Sequence, residues 1–444
     1  MASETLSTAA AKRPLWQKIL LGLVIGSVAG WVVQFSGLSP ETIKTLTGYV
    51  RPLGDVFMRM IFMVVVPLLI CALALGVSEL GDLRSIGRVG LRCLLYTLIL
   101  SGISVAIGLG LFALFRPGAN MDPAERQLLV DTFSPQVGTL KPPEAENGGL
   151  GMWVQKVLPK NPVEDMARAF DPTYKGSGLL GVMIFALFLG VAMASIPVEK
   201  VQTVRSFLQG LFEICMKIIG YAMMIAPYGV AALMFSLTAT LGLNVLSLLG
   251  QYVGVVLLGL ALHLFGTYSL VLRFWAGVSP VRFFRRIVEV MLTAFSTSSS
   301  NATLPTSLRV AREELNIRPG VANFVLTLGS TANQNGTALY EGITVLFLAA
   351  AFGVDLSLDQ QLTVVLVSMI AGMGVAGVPG GSLPMLAGVL VTVGVPGEAV
   401  VLIYGVDRIL DMSRTVLNVT GDLVLTQLIE RDVTRDASLL NETA

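Results

Sequence analysis

The chain has 444 residues, 54% of them hydrophobic and 13% charged, with a mean hydropathy of +0.76 and a formal net charge of +1. A soluble protein carries about a quarter charged residues, so half that fraction places the chain in a membrane, and the near-zero net charge argues against nucleic acid as its main partner. Cys71, Cys93 and Cys215 each lie in an apolar run with no CxxC, which reads as core packing and not as a disulfide framework or metal site.

The N-terminus, "MASETLSTAAAKRPLWQK", is polar and then basic, and the apolar stretch after it is about long enough to span a bilayer. No A-x-A-like cleavage site follows it, so the reading is a retained first helix with its basic flank in the cytoplasm. Apolar patterning predicts helices near 15–36, 51–78, 86–115, 178–195, 203–238 and 246–275, then further segments at 284–312, 320–351, 359–395 and 396–428. The one long polar region lies between Phe115 and Leu179, rich in Pro, Gly and charge. It reads as an extramembrane loop running into an amphipathic stretch, "MWVQKVLPKNPVEDMARAF", that begins the fourth helix. Arginines and lysines cluster at Arg84, Arg88 and Arg92, at Lys200 and Arg205, at Arg282, Arg285 and Arg286, and at Arg309, Arg312 and Arg318. By the positive-inside rule those segments and both termini are cytoplasmic, in a multi-pass protein of the inner (plasma) membrane.

Two later segments are interrupted mid-way, by "AFSTSSSNATLP" at 294–305 and by "GMGVAGVPGGSLP" at 372–384. Each arm is too short to cross, so each reads as a helical hairpin that enters and leaves on one side. The first is flanked by cytoplasmic arginines and the second enters from outside. A hairpin followed by a helix with polar residues midway, repeated in opposite orientation, is an inverted-repeat pattern of secondary transporters.

The densest polar constellation is "VDRILDMSRTVLNVTGD", where Asp407, Asp411, Arg414, Asn418 and Asp422 recur at steps of 4, 3, 4 and 4, on one helical stripe. Ionisable groups this deep in a membrane read as functional. Arg414 offers a planar fork for a carboxylate, Asp411 an acceptor for an ammonium group, and Asp422 a hard oxygen for a cation. The bland alternative, an Asp411–Arg414 pair that only fixes packing, leaves Asn418 and Asp422 unexplained. Ser296 to Asn301 supplies hydroxyls and free N–H groups at a helix start, an anion site or, alternatively, a plain loop. Gly377 to Ser382 allows close backbone approach and hinge motion, a mobile gate or, alternatively, a tight re-entrant turn. His263, in an apolar helix, reads as packing. With no second His, no GxSxG and no G-K dipeptide, neither nucleophilic or metal catalysis nor ATP drive has support.

From the first span to Asp422 the chain resembles the glutamate transporter, or dicarboxylate/amino acid:cation symporter, family. The motifs that carry the likeness are "STSSSNATLP", "NQNGTALY", "GVAGVPGG" and "DRILDMSRTVLNVTGD", in order and at the family's spacing. The resemblance implies an all-α integral membrane fold of eight transmembrane helices plus two re-entrant hairpins, working as an elevator within a homotrimer. Residues 1–78 and 150–240 would form the scaffold, 84–115 and 245–430 the transport domain, and 431–444 a cytoplasmic tail. It also implies that Arg414 grips the substrate's side-chain carboxylate, Asp411 its amino group and Asn418 its main carboxylate. Thr415, Thr337, Ser298, Ser300, Val378 and Ser382 complete the pocket. Dicarboxylate carriers of the family generally lack the acid and neutral amino acid carriers the arginine, so having both implies L-aspartate or L-glutamate.

The chain departs from the family at several places. The accessory arginine of archaeal members falls at Ser298 and that of animal members at Met412, and Arg408, one turn before Met412, is the candidate stand-in. For coupling ions, the resemblance implies a sodium position at Gly329, Asn333, Asn418 and Asp422 and another near Thr331, Gly372, Met373 and Val375. A third, at Thr97, Ser101 and residue 335, is degraded: the motif's usual aspartate is Asn335, and one hydroxyl is replaced by Leu100. Losing a carboxylate and a hydroxyl weakens a site that depends on hard oxygens. The amides of Gln334 and Asn335 would then satisfy carbonyls that sodium otherwise holds, shifting coupling toward protons through Asp407, Asp411 or Asp422; the alternative keeps two-sodium coupling intact. The expected function is therefore symport of acidic amino acids with Na+ and/or H+, without a cofactor or enzymatic activity. A C4-dicarboxylate symporter, a passive anion channel and a membrane enzyme are the competing readings.

Overall fold

The computed structural model describes residues 15–81, 88–119, 121–133, 158–169, 174, 178–242, 244–374 and 382–442, and within them every regular element is helical. The first helix, α1 (Leu15–Phe35), precedes α2 (Pro40–Phe62), which starts eleven residues before the apolar run from 51 because Ser39 caps it and Pro40 opens it. After a break at Met63–Val64 the chain continues as α3 (Val65–Gly81), and α4 (Arg88–Phe115) follows. Two short helices, α5 (Pro123–Phe133) and α6 (Pro162–Ala167), lie in the polar region. Asn161 caps α6, which stops at Arg168, well before α7 (Gly178–Ser195); the described part of the amphipathic stretch is thus a short helix of its own.

Next come α8 (Val198–Leu241), ended by Gly242 at φ +73°, and α9 (Asn244–Ala276), whose second half contains two π-helical turns at Leu262–Thr267 and Val271–Ala276. The first interrupted segment is α10 (Pro280–Arg286) and α11 (Val288–Thr297), then α12 (Ser300–Glu313). The motif helix is itself in two pieces, α13 (Pro319–Ala332) and α14 (Asn335–Ala351). The second interrupted segment is α15 (Leu358–Gly374) and α16 (Ser382–Thr392), and α17 (Val401–Glu442) runs to the end, past the expected limit at 428.

Five helical stretches among the described residues are long and apolar enough to cross a membrane: those beginning at Gln17, Glu41, Val89, Val198 and Asn244. Most helix packing falls within two sets, which also touch where α16 meets α7 and α15 meets α3. In one, α8 lies along α1 and α2, and α3 along α7. Gly22, Gly26 and Gly30 let α1 approach so closely that a Cβ at any of them would overlap the backbone or side chains of α8. In the other, α17 is packed against α11, α12, α13 and α14, while α4, α15 and α16 rest on α14. Although it carries Asn335, Thr337, Tyr340 and Glu341, α14 is almost wholly buried, which makes it the core of the second set.

Candidate substrate and cation site

The polar stripe of α17 faces inward along its whole length: Asp407, Asp411, Arg414, Asn418 and Asp422 are all buried. Arg414 is 2% exposed and holds Asp411 Oδ1 with two nitrogens, Nε at 3.1 Å and Nη2 at 2.6 Å. Its guanidinium also lies over the Tyr340 ring, 4.6 Å from the centroid. Arg408 Nη1 reaches the other oxygen, Asp411 Oδ2, at 3.3 Å. Asp407 Oδ1 accepts the Tyr340 hydroxyl at 2.6 Å. The Asp411–Arg414 pair of the bland alternative is thus present, yet Arg414 Nη1 has no hydrogen-bond partner among the described residues. A buried guanidinium N–H left open is costly unless a ligand meets it. One helix away, Glu341 is fully buried and neither of its carboxyl oxygens has a partner among the described residues.

The facing surface is made by a break in backbone geometry. Asn333 (φ −99°, ψ 70°) and Gln334 (φ −102°, ψ 53°) leave the helical region, so α13 ends and α14 begins within "NQNG". A buried helix break needs its polar groups satisfied by protein, and α17 supplies the partners. Asn333 Nδ2 donates to Asp422 Oδ1 at 2.9 Å, and the Gly336 N–H donates to Asn418 Oδ1 at 2.7 Å. Asn418 Nδ2 donates to Gln334 Oε1 at 2.5 Å and to Thr337 Oγ1 at 3.1 Å. Glycine is required where the two helices meet: a Cβ at Gly336 would lie 2.7 Å from the Arg414 carbonyl, and one at Gly329 would lie 2.5 Å from Asp422 Oδ1. Thr415 is buried beside them, its hydroxyl donating back to the Asp411 carbonyl at 2.7 Å.

At the first hairpin tip Ser298 takes a left-handed conformation (φ 51°), and Ser299 caps α12 through the Ala302 N–H. The strain at Ser298, uncommon for a residue with a Cβ, turns the chain between two helices packed on α17. Ser298 and Ser300 are buried, and so is Ser382 at the start of α16; the hydroxyls of Ser298 and Ser382 have no partner among the described residues. Val378 and Val375 lie outside the described residues.

Of the expected cation positions, Gly329, Asn333 and Asp422 come together, with Asn418 one turn earlier on α17. Thr331 bonds within its own turn, to the Leu328 carbonyl, and Gly372 and Met373 end α15. Around Asn335, Ser101 Oγ donates to Oδ1 at 2.6 Å and Ser104 Oγ to the backbone carbonyl at 2.6 Å. Asn335 Nδ2 donates to the Tyr268 hydroxyl at 3.0 Å, and that hydroxyl donates to the Leu417 carbonyl at 3.3 Å. The amides therefore behave differently from each other. Gln334 Nε2 does reach a carbonyl, that of Ser330 at 3.0 Å. Asn335 instead reaches a phenol, because Tyr268 on α9 is placed between it and the α17 backbone. Thr97 is buried one turn before Ser101, and Leu100 is buried between them.

Ser104, Tyr268, Tyr340 and Glu341 were absent from the sequence-level site. Glu341 had a signal, an acid directly after "NQNGTALY" in an apolar run. Ser104 and Tyr268 carry none, since hydroxyls and tyrosines are common in such helices. His263 packs edge-on against Tyr268 with ring centroids 4.7 Å apart, as a packing residue would.

The family model "Sodium:dicarboxylate symporter family" matches residues 15–432. The chain is 34% identical to the proton/sodium-glutamate symport protein of Bacillus subtilis (strain 168) over 405 residues, 91% of this chain and 89% of that protein. It is 30% identical to the proton/glutamate-aspartate symporter of Escherichia coli (strain K12) over 416 residues, covering 94% and 92%. It is 31% identical to the C4-dicarboxylate transport protein of Anaeromyxobacter sp. (strain K) over 422 residues, covering 94% and 90%.

Proposed function

The chain belongs to the sodium:dicarboxylate symporter family, and on that premise we propose that it is a secondary active symporter carrying L-aspartate or L-glutamate across the plasma membrane. The observation that carries the reading is Arg414: a guanidinium 2% exposed, anchored on Asp411 through two nitrogens, with the third open. An open, desolvated N–H of a planar cation selects a carboxylate. Asp411 beside it receives the amino group, Asn418 and Thr337 the main carboxylate, and Ser298, Ser300, Thr415 and Ser382 line the remainder, with Val378 at the gate.

Coupling combines protons with fewer sodium positions than the family's sodium-driven carriers use. Asn335 is satisfied by Ser101 and Tyr268, which leaves no anionic oxygen there for a hard cation. Gly329, Asn333, Asn418 and Asp422 retain a carboxylate with an amide and carbonyls beside it, a fit for one sodium ion; Thr331, Gly372, Met373 and Val375 are the backbone candidates for another. Glu341 offers a carboxyl with no donor among the described residues to hold it ionised, the group suited to carry a proton. The denser packing within α1–α3, α7 and α8, and within α4, α9 and α11–α17, than between the two groups supports a scaffold of 1–78 and 150–240 and a moving unit of 84–115 and 245–430. In this reading eight spans and two hairpins work as an elevator in a homotrimer, with both termini cytoplasmic. The second hairpin gates the site.

A second reading, a C4-dicarboxylate symporter, draws on Arg408: with one guanidinium on each oxygen, Asp411 is already neutralised and does not need an ammonium group. Proteoliposomes decide between them. Uptake of labelled aspartate, glutamate and succinate is followed under separately imposed sodium and proton gradients. Accumulation of the amino acids above succinate is the expected result; preference for succinate selects the second reading, and no accumulation under either gradient refutes symport.

A further inference from the structure

Within the site, one acceptor stands where a ligand's oxygen belongs. Gln334 Oε1 takes the Asn418 amide N–H at 2.5 Å and the Thr337 hydroxyl at 3.2 Å. The three residues are buried, at 4%, 3% and 2% exposure, on either side of the helix break. Asn418 cannot turn away, because its Oδ1 is pinned by the Gly336 N–H at 2.7 Å; its Nδ2 is aimed at Gln334 by that bond. Two donors converging on one oxygen in a desolvated pocket is how a protein holds a carboxylate oxygen. Yet the oxygen here belongs to a neutral side chain, on a non-helical residue between α13 and α14. Its nitrogen end is tethered to the Ser330 carbonyl at 3.0 Å, which sets which end of the amide faces Asn418. Meanwhile Arg414 Nη1, one turn earlier on α17, remains open. The two anchor points for a two-carboxylate ligand are thus in different states: the arginine end keeps one nitrogen open beside Asp411, and the amide–hydroxyl end is occupied from within.

We propose that Gln334 is an internal stand-in for the substrate's carboxylate: its Oε1 occupies the Asn418–Thr337 donors when the carrier is empty and is displaced by a carboxylate oxygen when substrate binds. This deepens the reading of the same site as an acidic amino acid site and rests on it. Two consequences follow from the physics. Displacing an existing acceptor weakens substrate binding relative to a site whose donors are free, by the net worth of the bonds exchanged. Keeping those donors satisfied lowers the cost of burying an empty site, which favours the return of the empty carrier in a net transport cycle. Gln334 is a positioning and specificity-tuning residue here, and it sets how affinity and turnover trade against each other.

The test uses full-length protein and two variants, Gln334→Met, close in volume but without an acceptor, and Gln334→Ala. Binding of L-aspartate and L-glutamate is measured by calorimetry on purified protein. In proteoliposomes, substrate exchange is compared with net uptake. The expected result is a Kd lowered by about tenfold in both variants, the worth of one or two net hydrogen bonds, with exchange preserved and net uptake slowed. A Kd that is unchanged or raised overturns the proposal, since a side chain that merely props Asn418 weakens binding when removed. Failure of both variants to fold overturns it as well, because a competitor for ligand is not needed for folding. If the wild type binds neither amino acid, the reading of the site falls first and the proposal with it; if the wild type binds and the variants bind more weakly, the proposal falls alone.

Discussion

Changing Asn335 to aspartate restores a carboxylate at the centre of the helix break and asks whether the hydrogen-bonded amide has taken the place of a cation. In the present structure Asn335 Oδ1 accepts from Ser101 and Nδ2 donates to Tyr268, whose own proton goes to the Leu417 carbonyl. With aspartate, the second oxygen faces the Tyr268 oxygen, so the phenol must turn its proton toward the new acid and release Leu417. Ser101 and Tyr268 then donate to the carboxylate, but no cation in the described structure neutralises it. An uncompensated buried charge costs about 3–5 kcal/mol, and with two donors in place the lower end, about 3 kcal/mol, is the expected destabilisation. A sodium ion bound at about a hundred times its Kd restores about 2.7 kcal/mol, nearly the same amount.

The assay is thermal unfolding of detergent-purified protein in sodium chloride and in choline chloride at matched ionic strength. Wild-type protein gains stability from sodium only through its remaining positions. Asn335→Asp melts several degrees lower in choline and recovers most of the difference in sodium, so its sodium increment exceeds that of the wild type by about 2–3 kcal/mol. Equal increments in the two proteins would refute the idea that Asn335 and its partners occupy a cation position, whatever the uptake data show.

Arg414→Lys keeps a charge beside Asp411 but loses the fork, so aspartate affinity in calorimetry should fall by about 10- to 100-fold with the melting temperature little changed. Gly336→Ala places a Cβ 2.7 Å from the Arg414 carbonyl and 3.0 Å from Asn418 Oδ1; forcing α14 off α17 should lower stability by about 1–3 kcal/mol and abolish binding, read by melting and calorimetry. Glu341→Gln removes a proton-carrying group without removing volume, so uptake driven by a proton gradient should be lost in proteoliposomes while substrate exchange persists. Retention of proton-driven uptake would move the proton to another carboxyl.

How much of this was legible beforehand depends on whether a feature is periodic or tertiary. The five-residue stripe of α17 was readable because spacing of 4, 3, 4 and 4 places residues on one face whatever they touch. All five are indeed buried. The long apolar spans were readable for the same reason, since composition alone places them in lipid. The start of α2 was not: "PETIKTLTGYVRPLGD" is too polar for a span, and its helicity follows from the Ser39 cap, Pro40 and packing on α8. The extension of α17 through Glu442 was hidden likewise, because its last turns are charged. Least visible were the partners of Asn335. Ser104 and Tyr268 lie 231 and 67 residues away in sequence, and only the packing of α4 and α9 on the second set of helices brings them to it.

The helix break ties these levels together. A run of amides in an apolar helix is unfavourable by local criteria, yet each amide here is matched by a group on another element: Asn333 by Asp422, Gln334 by Asn418 and Ser330, Asn335 by Ser101 and Tyr268. Because most of those partners come from α17, α4 and α9, the pocket exists only when those helices are docked. Binding-site geometry and tertiary packing are therefore one equilibrium in this region. The side chains that hold the break closed without ligand are the same ones that must let go when ligand enters. Groups left without partners among the described residues, including Arg414 Nη1, Asn333 Oδ1, the Ser298 and Ser382 hydroxyls and the Glu341 carboxyl, mark where that exchange begins. They are polar, buried and on elements packed around α14 or α17, so a ligand or proton that meets them gains interactions the protein alone does not supply.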